Sequence, residues 1–305
     1  MENNNQKQPY VIAVIGANGC GKSETMKGFE EEGFRSLGRT FPIPTLWLNP
    51  DAIANELKDR VSDQGERDSI AFERARELRQ VAMQNGDTFA FESVASHTSR
   101  TAELRQLKAR GYCIVLVFIG TSDPLINVQR VHFRYATGST TGHFVEEHKV
   151  RNRYHLLNRL MPLLAEVADV AFFLDNSGIA PDLQVVIDPD SFHVTENPAL
   201  WLQTHLLDRL EARFHQRVEI AEDLGIEVSD INEPDVGEGN YQGQVVKVTK
   251  DFIVVEDENL LRLVIHDRLM LETDKEHQRF NCEAGDYITI SYNYRHCPRT
   301  EVRQP

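Results

Sequence analysis

Tyr10-Val-Ile-Ala-Val-Ile-Gly16-Ala17-Asn18-Gly19-Cys20-Gly21-Lys22-Ser23 reads as a strand, a loop and the start of a helix. Tyr10 to Ile15 is an almost wholly apolar run ended by glycine, the pattern of a parallel strand buried on both faces. Gly16 to Ser23 matches GxxxxGK[ST]. Glycines in such a loop let successive main-chain N–H groups turn inward, and the helix that follows adds a favourable dipole, so the loop is an anion cradle. The motif predicts nucleotide contacts from Gly16, Ala17, Asn18, Gly19, Cys20, Gly21, Lys22, Ser23 and the adjoining Glu24. Lys22 would reach the β- and γ-phosphates of a nucleotide, and the Ser23 hydroxyl would ligate Mg²⁺.

Working outward, Lys22 to about Glu32 fits a helix closed by Gly33. Buried strands are expected at Thr45–Leu48, Thr88–Phe91, Tyr112–Ile119 and Val170–Leu174. Helical stretches separate them at Asp51–Leu57, Glu66–Asn85, Ser99–Arg110, Pro124–Tyr135 and Val145–Leu160, with Pro162 ending or kinking the last. That alternation predicts an α/β fold: a P-loop NTPase core whose mostly parallel sheet is covered by helices on both faces. Pro198 to Glu222 reads as one long connecting helix. Glu219 to Asn240 holds eight acids, three glycines and no base, which reads as a solvated linker. From Tyr241 short alternating runs, GQVVKVT, FIVVED, LRLVIHD and DYITISYNY, predict a small, mostly-β C-terminal domain. The expected division is a disordered tail over 1–9, a core over 10–195, helix and linker over 196–240 and a β domain over 241–298.

The chain has 305 residues, and 33 Lys and Arg against 47 Asp and Glu give a net charge of −14. No apolar run approaches the ~20 residues of a membrane span, and the start MENNNQKQPY lacks the apolar stretch of a signal peptide. A cytoplasmic protein without membrane contact is expected. Cys20, Cys113, Cys282 and Cys297 form no CxxC pair, against both a disulfide framework and a zinc site. The acidic balance makes nucleic-acid binding by the core unexpected.

A guanine-reading Asn-Lys-x-Asp string is absent from the sequence, and an apolar strand ending in Asp occurs only late, at Leu174-Asp175. The second strand ends Asn49-Pro50-Asp51, placing a carboxylate at the sheet edge where open α/β folds bind ligands. Asp51 is there either a base for an acceptor hydroxyl or a helix N-cap. The third strand ends Glu92-Ser93, a substrate-binding pair or an ordinary strand terminus. Arg130 and Arg134, at i and i+4, share one helix face. They precede a Gly/Thr-rich stretch that could hinge as a lid and bring cations over transferring phosphates. Arg151 and Arg153 are further candidates, with a solvated basic helix as the alternative.

GANGCGKSE, NPDAIA, FES and RVHFR followed by GHFVEEHKVRNRY, in this order and spacing, resemble the zeta-toxin family of P-loop kinases over roughly residues 10 to 190. The resemblance implies Mg²⁺-dependent transfer of the ATP γ-phosphate to a sugar hydroxyl of UDP-N-acetylglucosamine. Asp51 would then be the base, Asn49, Glu92, Ser93 and His143 would bind the nucleotide sugar, and Arg130 or Arg134 would stabilise the transition state. Other nucleotide sugars, nucleosides and dinucleotides are alternative acceptors, and a nucleotide-dependent binding module is a different class of reading. The family pattern Gly-Gly-His-x-Val-Pro is replaced by Thr141-Gly142-His143-Phe144-Val145-Glu146, which leaves His143, Arg151 and Arg153 as candidates for the second lid cation. The family also implies an antitoxin partner. The C-terminal stretch resembles KfrB-type β domains and is a candidate for intramolecular restraint.

Overall fold

A computed structural model of the chain describes residues 8–36, 38–138, 145–272, 280–294 and 300–303. The chain folds as two units, one of residues 1–96 and 107–203, the other of 97–106 and 204–305.

The first unit is built on β1 (Tyr10–Ile15), whose apolar residues from Val11 onward are all buried. Helix α1 (Lys22–Lys27) follows the loop and stops at Gly28, short of the predicted Glu32. Glu30, Glu31 and Glu32 would stand at the negative end of the helix dipole, where anions are disfavoured. A hairpin, β2 (Phe34–Ser36) and β3 (Arg39–Phe41), precedes β4 (Trp47–Leu48) and α2 (Pro50–Glu56). Then come α3 (Gln64–Asn85), β5 (Phe89–Ser93), α4 (Ser99–Ala109), most of which belongs to the second unit, β6 (Cys113–Gly120), α5 (Pro124–Ala136), α6 (Glu147–Val167) and β7 (Val170–Asp175). Pro162 lies inside α6, which runs on to Val167. The buried run Met161 to Leu164 around it supplies packing that offsets the cost of about 3 kcal/mol for an internal proline.

The sheet order is β4-β5-β1-β6-β7-β8-β9, with β8 (Asp182–Asp188) and β9 (Ser191–Val194) antiparallel additions at one edge. The five strands before them pair in parallel, and β6 is buried along its whole length. β1 therefore sits centrally, with Ile15 level with Ser93 of β5 and Phe118 of β6. Crossovers leave β1 towards both sides, which makes its carboxyl end a switch point open to ligands.

The predicted long helix begins as α7 (Leu200–Leu202), passes through a π turn at Gln203–Leu207 and continues as α8 (Asp208–Leu224). In the second unit α8 packs Ile220 and Ala221 against Phe252, Val254 and Ile265 of a five-stranded antiparallel sheet. Its strands are β10 (Asn240–Val248), β11 (Phe252–Asp257), β12 (Arg262–Asp267), β13 (Tyr287–Tyr292) and β14 (Thr300–Arg303), in the order β12-β11-β10-β13-β14. The segment read as a solvated linker is stitched to this sheet instead. Asn232 exchanges main-chain hydrogen bonds with Leu263 and Ile265, Ile231 and Val236 are buried, and Glu233 pairs with Arg105 and Arg217. The acids are partnered by bases distant in sequence, so a local charge count misreads them.

His266 and Tyr292 lie buried in this unit, with His266 Nδ1 2.9 Å from the Tyr292 hydroxyl. Burial holds the imidazole neutral and pushes its pKa down to about 3. The unfolded chain, with His266 near its ordinary 6.5, takes up a proton that the folded chain refuses. The stability associated with neutral His266 is complete above pH 6.5 and is lost progressively as pH falls towards 3. Denaturant midpoints at pH 7.5 and 5.0 should show wild type losing about 2 kcal/mol more than His266→Phe; equal losses would show that burial does not set this titration.

Candidate nucleotide and acceptor site

The phosphate loop closes the carboxyl end of β1. Its Gly16 N–H donates to the Ser93 carbonyl at 3.2 Å, tying the loop to β5. Gly19 and Gly21 have φ of +80° and +93°, the left-handed region that favours glycine. A Cβ at Gly19 would stand 2.3 Å from the Asn127 carbonyl oxygen, and one at Gly21 2.3 Å from Asn176 Nδ2, so α5 and the turn after β7 press on the loop at both points. Asn127 Nδ2 donates to the Asn18 carbonyl at 3.0 Å, and Asn176 Nδ2 to the Cys20 carbonyl at 2.7 Å.

Lys22 Nζ folds back on its own loop and donates to the Gly16 carbonyl at 2.8 Å. Ser23 Oγ donates to the Glu92 carboxylate, 3.2 Å from each oxygen, and Asn49 Nδ2 donates to Glu92 Oε1 at 3.0 Å. Glu92 is thus the meeting point of β5, α1 and the end of β4. Burial raises its pKa; Lys22 and the bonds from Ser23 and Asn49 oppose that shift, and the charge of Asp51 adds to it. Asp51 is exposed in the first turn of α2, and its N–H donates to Asn49 Oδ1 at 2.8 Å. Asn49 is therefore the N-cap and Asp51 is not, which leaves the Asp51 carboxylate free of that role.

The arginines divide. Arg130 donates from Nη1 to the Asn176 carbonyl at 2.7 Å and from Nη2 to the Gly178 carbonyl at 3.1 Å, so it braces the turn after β7. Arg134, one turn on, has a buried Nε with no hydrogen-bond partner among the described residues. Arg151 is tied to Glu147 at 2.6 Å on the exposed side of α6. Arg153 reaches the phosphate loop, donating from Nη1 to Asn18 Oδ1 at 2.9 Å. Ser93 Oγ accepts from the Ala95 N–H at 3.1 Å and serves its own turn. Glu24 is exposed and paired with Lys27. His143 falls outside the described residues.

The family model for zeta toxin matches residues 1–194. This chain belongs to the zeta toxin family. An uncharacterized protein of Haemophilus influenzae is 27% identical over 147 residues, which is 48% of this chain and 94% of that one. A solved structure of the AvrRxo1-ORF1:AvrRxo1-ORF2 complex aligns with a TM-score of 0.50 and 13% identity, over 64% of this chain and 63% of the other. The same complex with ATP aligns with the same score and coverage. The chain therefore spans less than two thirds of that protein's length. Family and fold together place the phosphate loop and its strand in a zeta toxin domain. The match ends before α7, leaving the second unit's sheet outside it. No described helix is long and apolar enough to cross a membrane.

Sequence reasoning placed Lys22, Ser23, Asn49, Asp51 and Glu92 at one sheet edge, and the structure brings Ser23, Asn49 and Glu92 into direct contact there. It did not find Asn127 or Asn176. Neither belongs to a string that signals phosphate binding, and both act through carbonyls that only the folded loop exposes. Cys20 lies in the loop as expected but its side chain is fully buried in the core, with burial raising the thiol pKa. Such burial leaves the thiol protonated and shielded from reagents. Alkylation of native protein should modify Cys20 no faster than global opening permits; peptide mapping that finds it modified within minutes under native conditions would contradict its burial.

Proposed function

We propose that this zeta toxin family member transfers the γ-phosphate of ATP to a hydroxyl of a nucleotide sugar, with UDP-N-acetylglucosamine as the acceptor. The observation that carries the reading is the junction of Ser23, Glu92 and Asn49 beside the phosphate loop, with the Asp51 charge acting on Glu92. A hydroxyl and a carboxylate in contact are the hard oxygen donors that suit Mg²⁺. Ser23 and Glu92 would hold the ion, which neutralises charge on the β- and γ-phosphates when bound. Glu92 was expected to bind the acceptor; its bonds to Ser23 support a place at the metal as well.

Lys22, released from the Gly16 carbonyl, pairs with the phosphate oxygens. Asp51 accepts the proton of the acceptor hydroxyl as that oxygen bonds to the γ-phosphorus and the bond to the β,γ-bridging oxygen breaks, releasing ADP. Arg134, whose buried Nε has no hydrogen-bond partner among the described residues, and Arg153, already at Asn18, supply the positive charge that the transferring group needs. Arg130 supports the loop rather than the phosphate. The family reading also makes an antitoxin the natural partner, and the C-terminal unit, KfrB-like in sequence, a restraint. Steady turnover by the purified full-length chain alone would exclude the restraint.

ADP release should depend on both Mg²⁺ and UDP-N-acetylglucosamine, and Asp51→Asn should lower acceptor-dependent kcat by roughly 10²-fold or more. Turnover of the variant within about threefold of wild type would remove Asp51 as the base. If another nucleotide sugar, nucleoside or dinucleotide gains the phosphoryl group in mass spectrometry and UDP-N-acetylglucosamine does not, the acceptor assignment fails while the kinase stands. Arg134→Ala should reduce kcat by about 10³-fold, the scale of a lost arginine at a phosphoryl transition state, with its melting temperature unchanged. Arg130→Ala should lower the melting temperature first, because two carbonyls lose their donor.

A further inference from the structure

We infer that Asn127 and Asn176 are positioning residues for nucleotide binding: two buried amides that clamp alternate carbonyls of the phosphate loop outward and so keep its N–H groups aimed at the phosphates before ATP arrives. The inference rests on the ATP-binding reading and deepens it.

In a loop that cradles an anion, each peptide whose N–H faces inward leaves carbonyls directed at the protein, and a buried carbonyl needs a donor. The Asn18 and Cys20 carbonyls receive theirs from Asn127 Nδ2 and Asn176 Nδ2. Asn127 is completely buried on α5, and the Thr121 hydroxyl donates to its Oδ1. That bond fixes which end of the amide faces the loop. The Thr121 carbonyl in turn accepts from the Tyr154 hydroxyl of α6 at 2.8 Å, so the orientation is held from two helices. Asn176 is anchored at both main-chain ends: its N–H donates to the Gly120 carbonyl at 2.8 Å and its carbonyl accepts from Arg130. The two glycines at positive φ, Gly19 and Gly21, are the residues on which Asn127 and Asn176 close, and no side chain would fit between. Clamp and loop are thus fitted to each other at consecutive contacts.

Removing a clamp frees a buried carbonyl to rotate the peptide, and with it the neighbouring N–H, away from the phosphates. The cost should appear in ATP affinity. Asp is the informative replacement, since it keeps the shape of Asn but, when ionised, sets an acceptor against the carbonyl. When protonated, a state favoured by burial, it becomes a donor again.

Titration calorimetry of Mg²⁺ and ATP into the full-length chain at pH 8.0 and 5.5 tests the inference. For Asn176→Asp the Kd should exceed that of wild type at least tenfold at pH 8.0, and the ratio should shrink to within threefold at pH 5.5. Asn127→Asp, measured the same way, covers failure of the first variant to fold. A ratio within twofold at pH 8.0, or one that does not change with pH, overturns the clamp, because general destabilisation would not be repaired by acid. Wild type that fails to bind ATP overturns the nucleotide reading itself, and the clamp with it.

Discussion

Main-chain N–H groups hold an anion only when the carbonyls of the same loop are satisfied elsewhere, and the first unit is arranged around that condition. On the proposed function the loop after β1 gives its inward face to phosphate; its outward face meets α5, α6 and the turn after β7. The central place of β1 follows from it: with β5 on one side and β6 on the other, hydrogen-bonding groups can reach the loop from both. Ser93 of β5 takes the Gly16 N–H, and the Gly120 carbonyl at the end of β6 anchors Asn176. A strand at the sheet edge would offer only one such neighbour.

The same crowding sets the electrostatics. Glu92 is drawn out of water, which favours its neutral form, while Lys22, Ser23 and Asn49 favour the carboxylate. The balance is conditional, because Lys22 serves the Gly16 carbonyl until phosphate takes it. A divalent cation beside Glu92 would then replace the positive charge that the lysine gives up. On the proposed function, lysine, carboxylate and metal would balance one another's charge rather than act in three independent roles. Asp51, exposed and released from capping by Asn49, adds its charge to the burial that raises the Glu92 pKa.

Legibility in the sequence followed how local each signal was. GANGCGKS carries the loop in eight residues, and the apolar runs YVIAVI and CIVLVFIG carry two central strands. The parallel sheet was legible for that reason, as were Asp51 and Glu92 at strand ends. The hairpin β2–β3 and the edge strands β8 and β9 were not, since short strands with an exposed face mix polar and apolar residues without a buried run. The arginines were found as a set but not sorted. Arg130 and Arg134 share a helix face, yet one meets the carbonyls of Asn176 and Gly178 and the other does not. That distinction depends on a turn more than forty residues away in sequence.

The second unit shows the converse failure, in which a strong local signal misleads. Eight acids in Glu219 to Asn240 read as solvated chain, but Lys247 pairs with Glu219 and Asp223 and Arg217 with Glu233, so the segment is held to its own unit. Arg213 of α8 is fully buried, donates to Asp267 Oδ2 at 2.6 Å and lies over the Phe252 ring at 4.6 Å. A buried pair of this kind adds little net stability, because desolvation consumes most of the attraction, but either member alone is costly. It therefore fixes which residue α8 can set against Asp267. Ile220 and Ala221 supply the packing against the sheet, and Arg213 with Asp267 selects its register. The chain enters this unit at 97–106 as well as after 203, so a stretch between β5 and β6 belongs to the unit whose sheet lies outside the zeta toxin match.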